Sequence, residues 1–223
     1  MTVATGQVRR SPLAGMHRWC RRVLAVVAAA CLSAAVAWAD GTGAGAAMPD
    51  VKLSAVLAGS GVDAGNGSGA SGGVLAETVW LKGDLVRVDF DGGPRMRGRL
   101  LKRGDRSWLL EPDAQRALPV AHVPLASITR LDPAQPCLGL GLACEHVDDR
   151  LIAGRRATGW RYDHAGRTGP NATDSGVFWI DAQYGVLLGF RARDLMHRDY
   201  RMETLSVQFP TLPDSVFGLP ARP

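Results

Sequence analysis

The residues able to do chemistry in this chain are few and scattered. Of five histidines, four (His122, His146, His164 and His197) fall on separate segments downstream of the leader, and none opens a His-Glu-x-x-His metal motif. No serine stands in a Gly-x-Ser-x-Gly turn, so the strand-to-helix nucleophile of the α/β hydrolases is missing. Asp113, Asp148 and Asp149 read as turn or surface residues rather than as a general acid–base pair. Gly139-x-Gly141 has no Gly-Lys-Ser/Thr after it and no strand–turn–helix around it, which excludes a phosphate loop. The expectation is a protein with no catalytic residue, no metal and no cofactor: not an enzyme.

Thiol chemistry reduces to one pair. Cys20 and Cys31 lie in the leader, leaving Cys137 and Cys144, and in an exported chain an even count at short spacing reads as a disulfide. Closing so short a loop contributes about 2 to 3 kcal/mol on the chain-entropy account. A metal site of Cys137, Cys144 and His146 is the competing reading, but it lacks a fourth ligand and a second Cys-x-x-Cys pair. Inside the loop, Leu138 to Leu142 alternates leucine with glycine; it reads either as a contact for a partner or acyl chain, or as a plug beneath a sheet. The plug is favoured because exposed apolar patches are uncommon.

The leader itself is Arg18, Arg21 and Arg22, an apolar run from Val23 to Val36, and then Ala37-Trp38-Ala39. That order predicts a secretory signal over residues 1–39, cleaved after Ala39, and a periplasmic protein. The run of 14 residues falls short of a membrane span, so no span is expected in the mature chain, with a retained anchor as the alternative. The leader carries five arginines and no acid, which leaves 21 basic and 21 acidic residues downstream. The basic excess therefore departs with the signal, and nothing in the remainder argues for nucleic acid.

What must position any site is a series of one-sided strands. Glu77 to Asp91 reads as two strands folded about Lys82-Gly83-Asp84, and in the second arm Val86, Val88 and Phe90 alternate with Arg87, Asp89 and Asp91. Further strands are predicted at Asp50–Ala58, Arg95–Arg103, Arg106–Glu111, Gln115–Val120, Arg155–Asp163, Val177–Asp181, Val186–Asp194 and Arg198–Phe209, with Gly, Pro and Asp between them as in an antiparallel meander. Residues 40–49 form a Gly/Ala tether, 59–73 a glycine-rich loop, and 50–220 one domain. Pro124 at a first helical position, with Leu125, Ile128 and Leu131 at intervals of three, predicts a short amphipathic helix over Val123–Leu131. Val216, Phe217 and Leu219 are expected to pin the C-terminus to the core.

Several short motifs carry a resemblance. Val79-Trp-Leu-Lys-Gly-Asp84, the following Arg87-Val-Asp89, Asp105 to Asp113, Gly154-Arg-Arg-Ala-Thr158, Trp179-Ile-Asp181 with Gly185-Val-Leu-Leu188, and Leu212 to Pro220 resemble the LolA/LolB-type superfamily of periplasmic lipoprotein carriers, and above all its uncharacterised exported relatives. The likeness runs from about Asp50 to Pro220. It implies a mainly β fold, an incomplete antiparallel β-barrel (half-barrel) with one or two short helices covering the concave face, around an apolar cavity that in the carriers receives acyl chains. The arginine that holds the carriers' lid aligns with Gly83, and an apolar cavity residue with Arg87, so the carriers' gating does not transfer.

The reading is an exported binding protein whose apolar concave sheet, lined by Val86, Val88, Phe90, Trp108, Leu110, Trp160, Phe178 and Phe190, takes a lipid, an acyl chain or a lipoprotein. The alternative is an interaction module that holds an envelope protein through a sheet edge or the Leu138–Leu142 loop.

Overall fold

The structure is a computed structural model of the 223-residue chain, and it describes residues 48–62, 72–93, 96–111, 116–120 and 130–219. The leader, all but the last two residues of the tether, most of the glycine-rich loop and the helix expected at Val123–Leu131, except its last two residues, lie outside this set.

Eleven strands form one antiparallel sheet: β1 Val51–Gly59, β2 Gly73–Lys82, β3 Leu85–Asp91, β4 Arg97–Arg103, β5 Arg106–Leu110, β6 Ala117–Pro119, β7 Cys144–Ile152, β8 Arg155–Tyr162, β9 Ser175–Asp181, β10 Leu187–Arg193 and β11 Asp199–Gln208. Their order is β6-β5-β4-β3-β2-β1-β11-β10-β9-β8-β7. The sheet therefore consists of two meanders joined by one long-range seam, β1 on β11, and it ends at β6 and β7 without closing. This is the open half-barrel expected. Among the described residues the only helical segments are 3-10 turns at Leu138–Leu140, Pro170–Ala172 and Asp214–Phe217, and no helix is long and apolar enough to cross a membrane.

The hairpins form where the sequence places glycine. Lys82 pairs with Leu85 and Arg103 with Arg106 across two-residue loops, Gly83-Asp84 and Gly104-Asp105. Gly83 opens its loop at φ 56°, a left-handed conformation that such tight loops demand and that glycine adopts without a Cβ penalty. Gly185, after β9, has φ 64°, and a Cβ there would lie 1.7 Å from the Leu131 carbonyl oxygen. That close approach lets Leu131 N–H donate to the Gly185 carbonyl at 2.9 Å, tying the segment before the disulfide loop to the β9–β10 turn.

Two elements differ from expectation. β2 begins at Gly73, so its pairing with β1 runs back to Gly59 through what reads as loop. Strand β7 is unanticipated: Asp148 and Asp149 lie inside it, at a register shift between Val147 and Arg150. Its side chains are mostly exposed and five of its nine residues, Glu145, His146, Asp148, Asp149 and Arg150, are ionisable, so no apolar period marks it. A charged, irregular edge strand also resists pairing with foreign strands.

One apolar core covers the inner face, and Leu131, Cys137, Leu140 and Leu142 pack into it. On the outer face the charged positions of β3 and β4 pair off: Asp89 accepts from Arg87 Nε at 2.9 Å and from Arg99 Nε at 2.8 Å. Burial pushes the Asp89 carboxyl upward, but those two guanidiniums outweigh it and hold it below the usual carboxylate range. The C-terminal segment lies on this same face. Lys82 Nζ donates to the Leu212 carbonyl at 2.6 Å, Arg87 Nη1 to that of Val216 at 3.1 Å and Arg103 Nε to that of Phe217 at 3.0 Å. Leu212 and Phe217 are thereby buried along with Leu101 and Leu110, apart from the main core.

Candidate functional site

Strand register sorts the expected lining residues by face, because side chains directly opposite across a ladder share a side. One inner-face row runs His146–Trp160–Phe178–Phe190–Met202–Leu57–Leu75 across seven strands. A second runs Val207–Leu53–Val79–Val88–Leu100–Leu109–Leu118, also across seven. Val86 and Phe90 flank Val88 on the same side of β3. The inner face thus brings together Val86, Val88, Phe90, Trp160, Phe178 and Phe190. Trp108 and Leu110 do not join them: Trp108 pairs with Leu101, itself opposite Arg87, and Leu110 pairs with Arg99, so both belong to the outer face. The reason is parity. Val86 pairs with Lys102 and Lys102 with Ser107, so the alternate residues Trp108 and Leu110 point the other way.

Burial is uneven along these rows. Phe178 and Phe190 are 0% and 1% exposed and form packed core, whereas Phe90 and Leu109 are half-buried and Leu118, on the last strand, is 49% exposed. Cover thins toward both ends of the sheet: toward β6 along the second row, past the buried Val79, Val88 and Leu100, and toward β7 along the first, where Trp160 is half-buried and His146 exposed. Phe90 lies over Gly98, where a Cβ would come within 2.6 Å of its ring, so the absence of a side chain on β4 lets the aromatic lie flat on the strand.

Three polar groups interrupt this apolar surface. Glu77 sits between the two rows, opposite Ala55 on one side and Phe90 on the other. Burial alone pushes its carboxyl up to about 7. Thr204, opposite Ala55, is buried with its hydroxyl unpartnered, and the Trp160 indole N–H is likewise buried with no acceptor among the described residues. His146 stacks edge-on against the Trp160 ring, at 5.5 Å and 86°, without meeting that N–H. Glu77 was legible in principle: Leu75, Glu77, Val79 and Leu81 alternate in one phase. Starting the strand at Glu77 itself hid that phase.

Cys137 and Cys144 are joined by a disulfide. Its loop is partly a plug and partly exposed: Leu140 and Leu142 pack on the core, while Leu138 is 73% exposed. Among the described residues no three His, Cys, Asp or Glu side chains are grouped as metal ligands. His164 and His197 each sit in a turn at positive φ, and His146 reaches Asp149 at 3.2 Å on an exposed edge.

No family model and no curated protein matches the sequence. Among solved structures the chain is similar to an uncharacterized conserved protein from Thermus thermophilus, at 10% identity over 79% of this chain and 86% of that one, with a TM-score of 0.49. It is similar to a LolA superfamily protein from Nitrosomonas europaea, at 8% identity over 77% of this chain and 90% of that one, TM-score 0.38. A chain of the Pseudomonas aeruginosa MucA/MucB complex is a third, at 14% identity over 75% of this chain and 54% of that one, TM-score 0.44. The superfamily named by the short sequence motifs is thus represented among the similar structures, and likeness this distant carries no argument about a guest or a partner.

Proposed function

We propose that the chain is an exported, non-enzymatic binding protein that takes an acyl chain, of a lipid or lipoprotein, against the β2–β6 half of its inner face. The observation that supports this reading is a carboxyl raised by burial, Glu77 on β2, beside an apolar surface whose cover thins from Phe90 to Leu109 and Leu118. A polar headgroup atom beside Glu77 would offset part of the cost of burying that carboxyl, about 1 to 3 kcal/mol, while the acyl chain covers Phe90, Leu109 and Leu118. Protein purified natively from its own host is expected to release lipid on organic extraction, and a fluorescent fatty acid is expected to bind and to be displaced by that lipid. Absence of extractable lipid together with no fatty-acid binding would remove the reading.

A second reading rests on Leu138. A leucine 73% exposed on a disulfide-clasped loop presents a small apolar contact to an envelope protein. Cross-linking from this loop should capture a partner that Leu138→Asp loses, with fatty-acid binding unchanged. Retention of the partner by Leu138→Asp would dismiss it.

A further inference from the structure

A second concavity lies mainly on the outer face of the sheet, on β1 and β8–β11. Val74, Ala58, Arg201, Arg191, Val177 and Arg161 stand directly opposite one another on β2, β1, β11, β10, β9 and β8. All of these but Val74 line a depression of about 470 Å³, to which four arginines (Arg161, Arg191, Arg193 and Arg201) and two aspartates (Asp163 and Asp199) contribute. Its floor is apolar or backbone: Ala58, Val177, and the chain at Gly176 and Ala192.

The charges of this depression are poorly matched, unlike those elsewhere on the same face. Charged cross-strand partners there are mostly of opposite sign, as in Asp89 with Arg99 and Asp91 with Arg97. Arg191 and Arg201, by contrast, are directly opposite like charges, an arrangement that destabilises an antiparallel pair. The other like pair, Arg103 with Arg106, is eased because Arg103 donates to the Phe217 carbonyl. No comparable acceptor relieves Arg191, which makes no ion pair among the described residues, while Arg201 reaches Glu203 only at 3.9 Å and Arg161 reaches Glu145 only at 3.4 Å. Arg193 alone is closely neutralised, by Asp199 at 2.7 Å.

We infer that this depression binds a phosphate-type anion through Arg191, Arg201 and Arg161. Planar guanidiniums on neighbouring strands, separated by about 5 Å per strand, can reach inward over the small Val177 side chain and donate paired hydrogen bonds to phosphate oxygens. An anion seated there relieves the Arg191–Arg201 repulsion, which solvent alone screens only in part. The same chemistry is offered by free phosphate and by a phospholipid headgroup. The turn that follows Arg193 carries Leu195 and Met196 at 59% and 72% exposure, an apolar tip beside the cationic depression.

The test uses the full chain at physiological ionic strength. Calorimetric titration with inorganic phosphate and with glycerol 1-phosphate reads the free anion. Cosedimentation with phosphatidylglycerol–phosphatidylcholine vesicles, against phosphatidylcholine alone, reads the headgroup. At least one arm is expected to show binding that weakens about tenfold in Arg191→Gln and again in Arg201→Gln, while Arg156→Gln, remote from the depression, leaves it unchanged. Arg161→Gln supplies an independent variant, and thermal melts confirm that each is folded. Phosphate binding identifies a small-anion site, and vesicle binding without phosphate binding identifies a headgroup site. The inference is overturned if neither probe binds, or if the arginine variants bind as tightly as the parent. Fatty-acid binding at the inner face is unaffected in either case, so the two proposals fail separately.

Discussion

Glu77 is the residue whose environment and chemistry are most at odds. Its carboxyl has an ordinary value of 4.5 and is pushed up to about 7 by burial among Ala55, Phe90 and their neighbours. The folded chain therefore holds a proton that the unfolded chain releases between these values, and stability falls as pH rises from 4.5 to 7. The loss amounts to about 3 kcal/mol over that interval. Glu77→Gln cannot ionise, so urea unfolding of this variant at about pH 5, 6 and 7.5 should show the slope flattened by that amount; an unchanged slope would place the effect elsewhere. Asp181 is the opposite case, a carboxylate 1% exposed and fully engaged. It accepts from Arg155 Nε at 2.7 Å and from the backbone N–H groups of Gln183 and Tyr184 at 3.0 and 2.7 Å, which shape the β9–β10 turn. Asp181→Ala is expected to cost about 2 kcal/mol in chemical denaturation. The figure is modest because Arg155 stays partly solvated once its partner is gone.

Elements show how far alternation alone carries a reading. The β2–β3 hairpin was legible because Val86, Val88 and Phe90 alternate with charges beside a Lys-Gly-Asp turn, and the structure keeps both the turn and the phase. Strand β7 was not legible, since an edge strand with little to bury needs no apolar period. The candidate site was legible only in part. Alternation says that two sides exist within a strand, but only cross-strand register decides which side of β5 matches which side of β3, and that put Trp108 and Leu110 opposite the rest. The C-terminal turn Asp214–Phe217 was readable as an anchor from its apolar residues, whereas its grip by Lys82, Arg87 and Arg103 was not, because those contacts span more than 110 residues. Arg87 is outward-facing, gripping the terminus through the Val216 carbonyl and lying 4.5 Å over the Trp80 ring, in phase with Asp89 and Asp91. Phe217→Ala, which empties a fully buried position, should destabilise by about 3 to 4 kcal/mol, read as a lowered urea midpoint. Replacing Cys137 and Cys144 by serine should cost about 2 to 3 kcal/mol and loosen the Leu138–Leu142 loop, measurable as faster amide exchange there.

For the sheet as a whole, the β1–β11 seam is the decisive contact. Every other adjacent pair is a neighbour in sequence, whereas Lys52 pairs with Gln208 and Ala58 with Arg201. Without β1 the meander β2–β6 and the meander β7–β11 have no shared strand, so deletion of Val51–Gly59 is expected to abolish cooperative unfolding and lower soluble yield. A truncated chain that still melts in one transition would refute this. The seam also sets the order of events in the cell. The first strand to emerge has one partner within reach and must leave its other ladder open until the last strand arrives, so the inner core stays incomplete throughout synthesis. A chain whose opening strand waits for its closing one gains its cooperativity late, so partial products lacking β11 should be protease-sensitive however well their hairpins form.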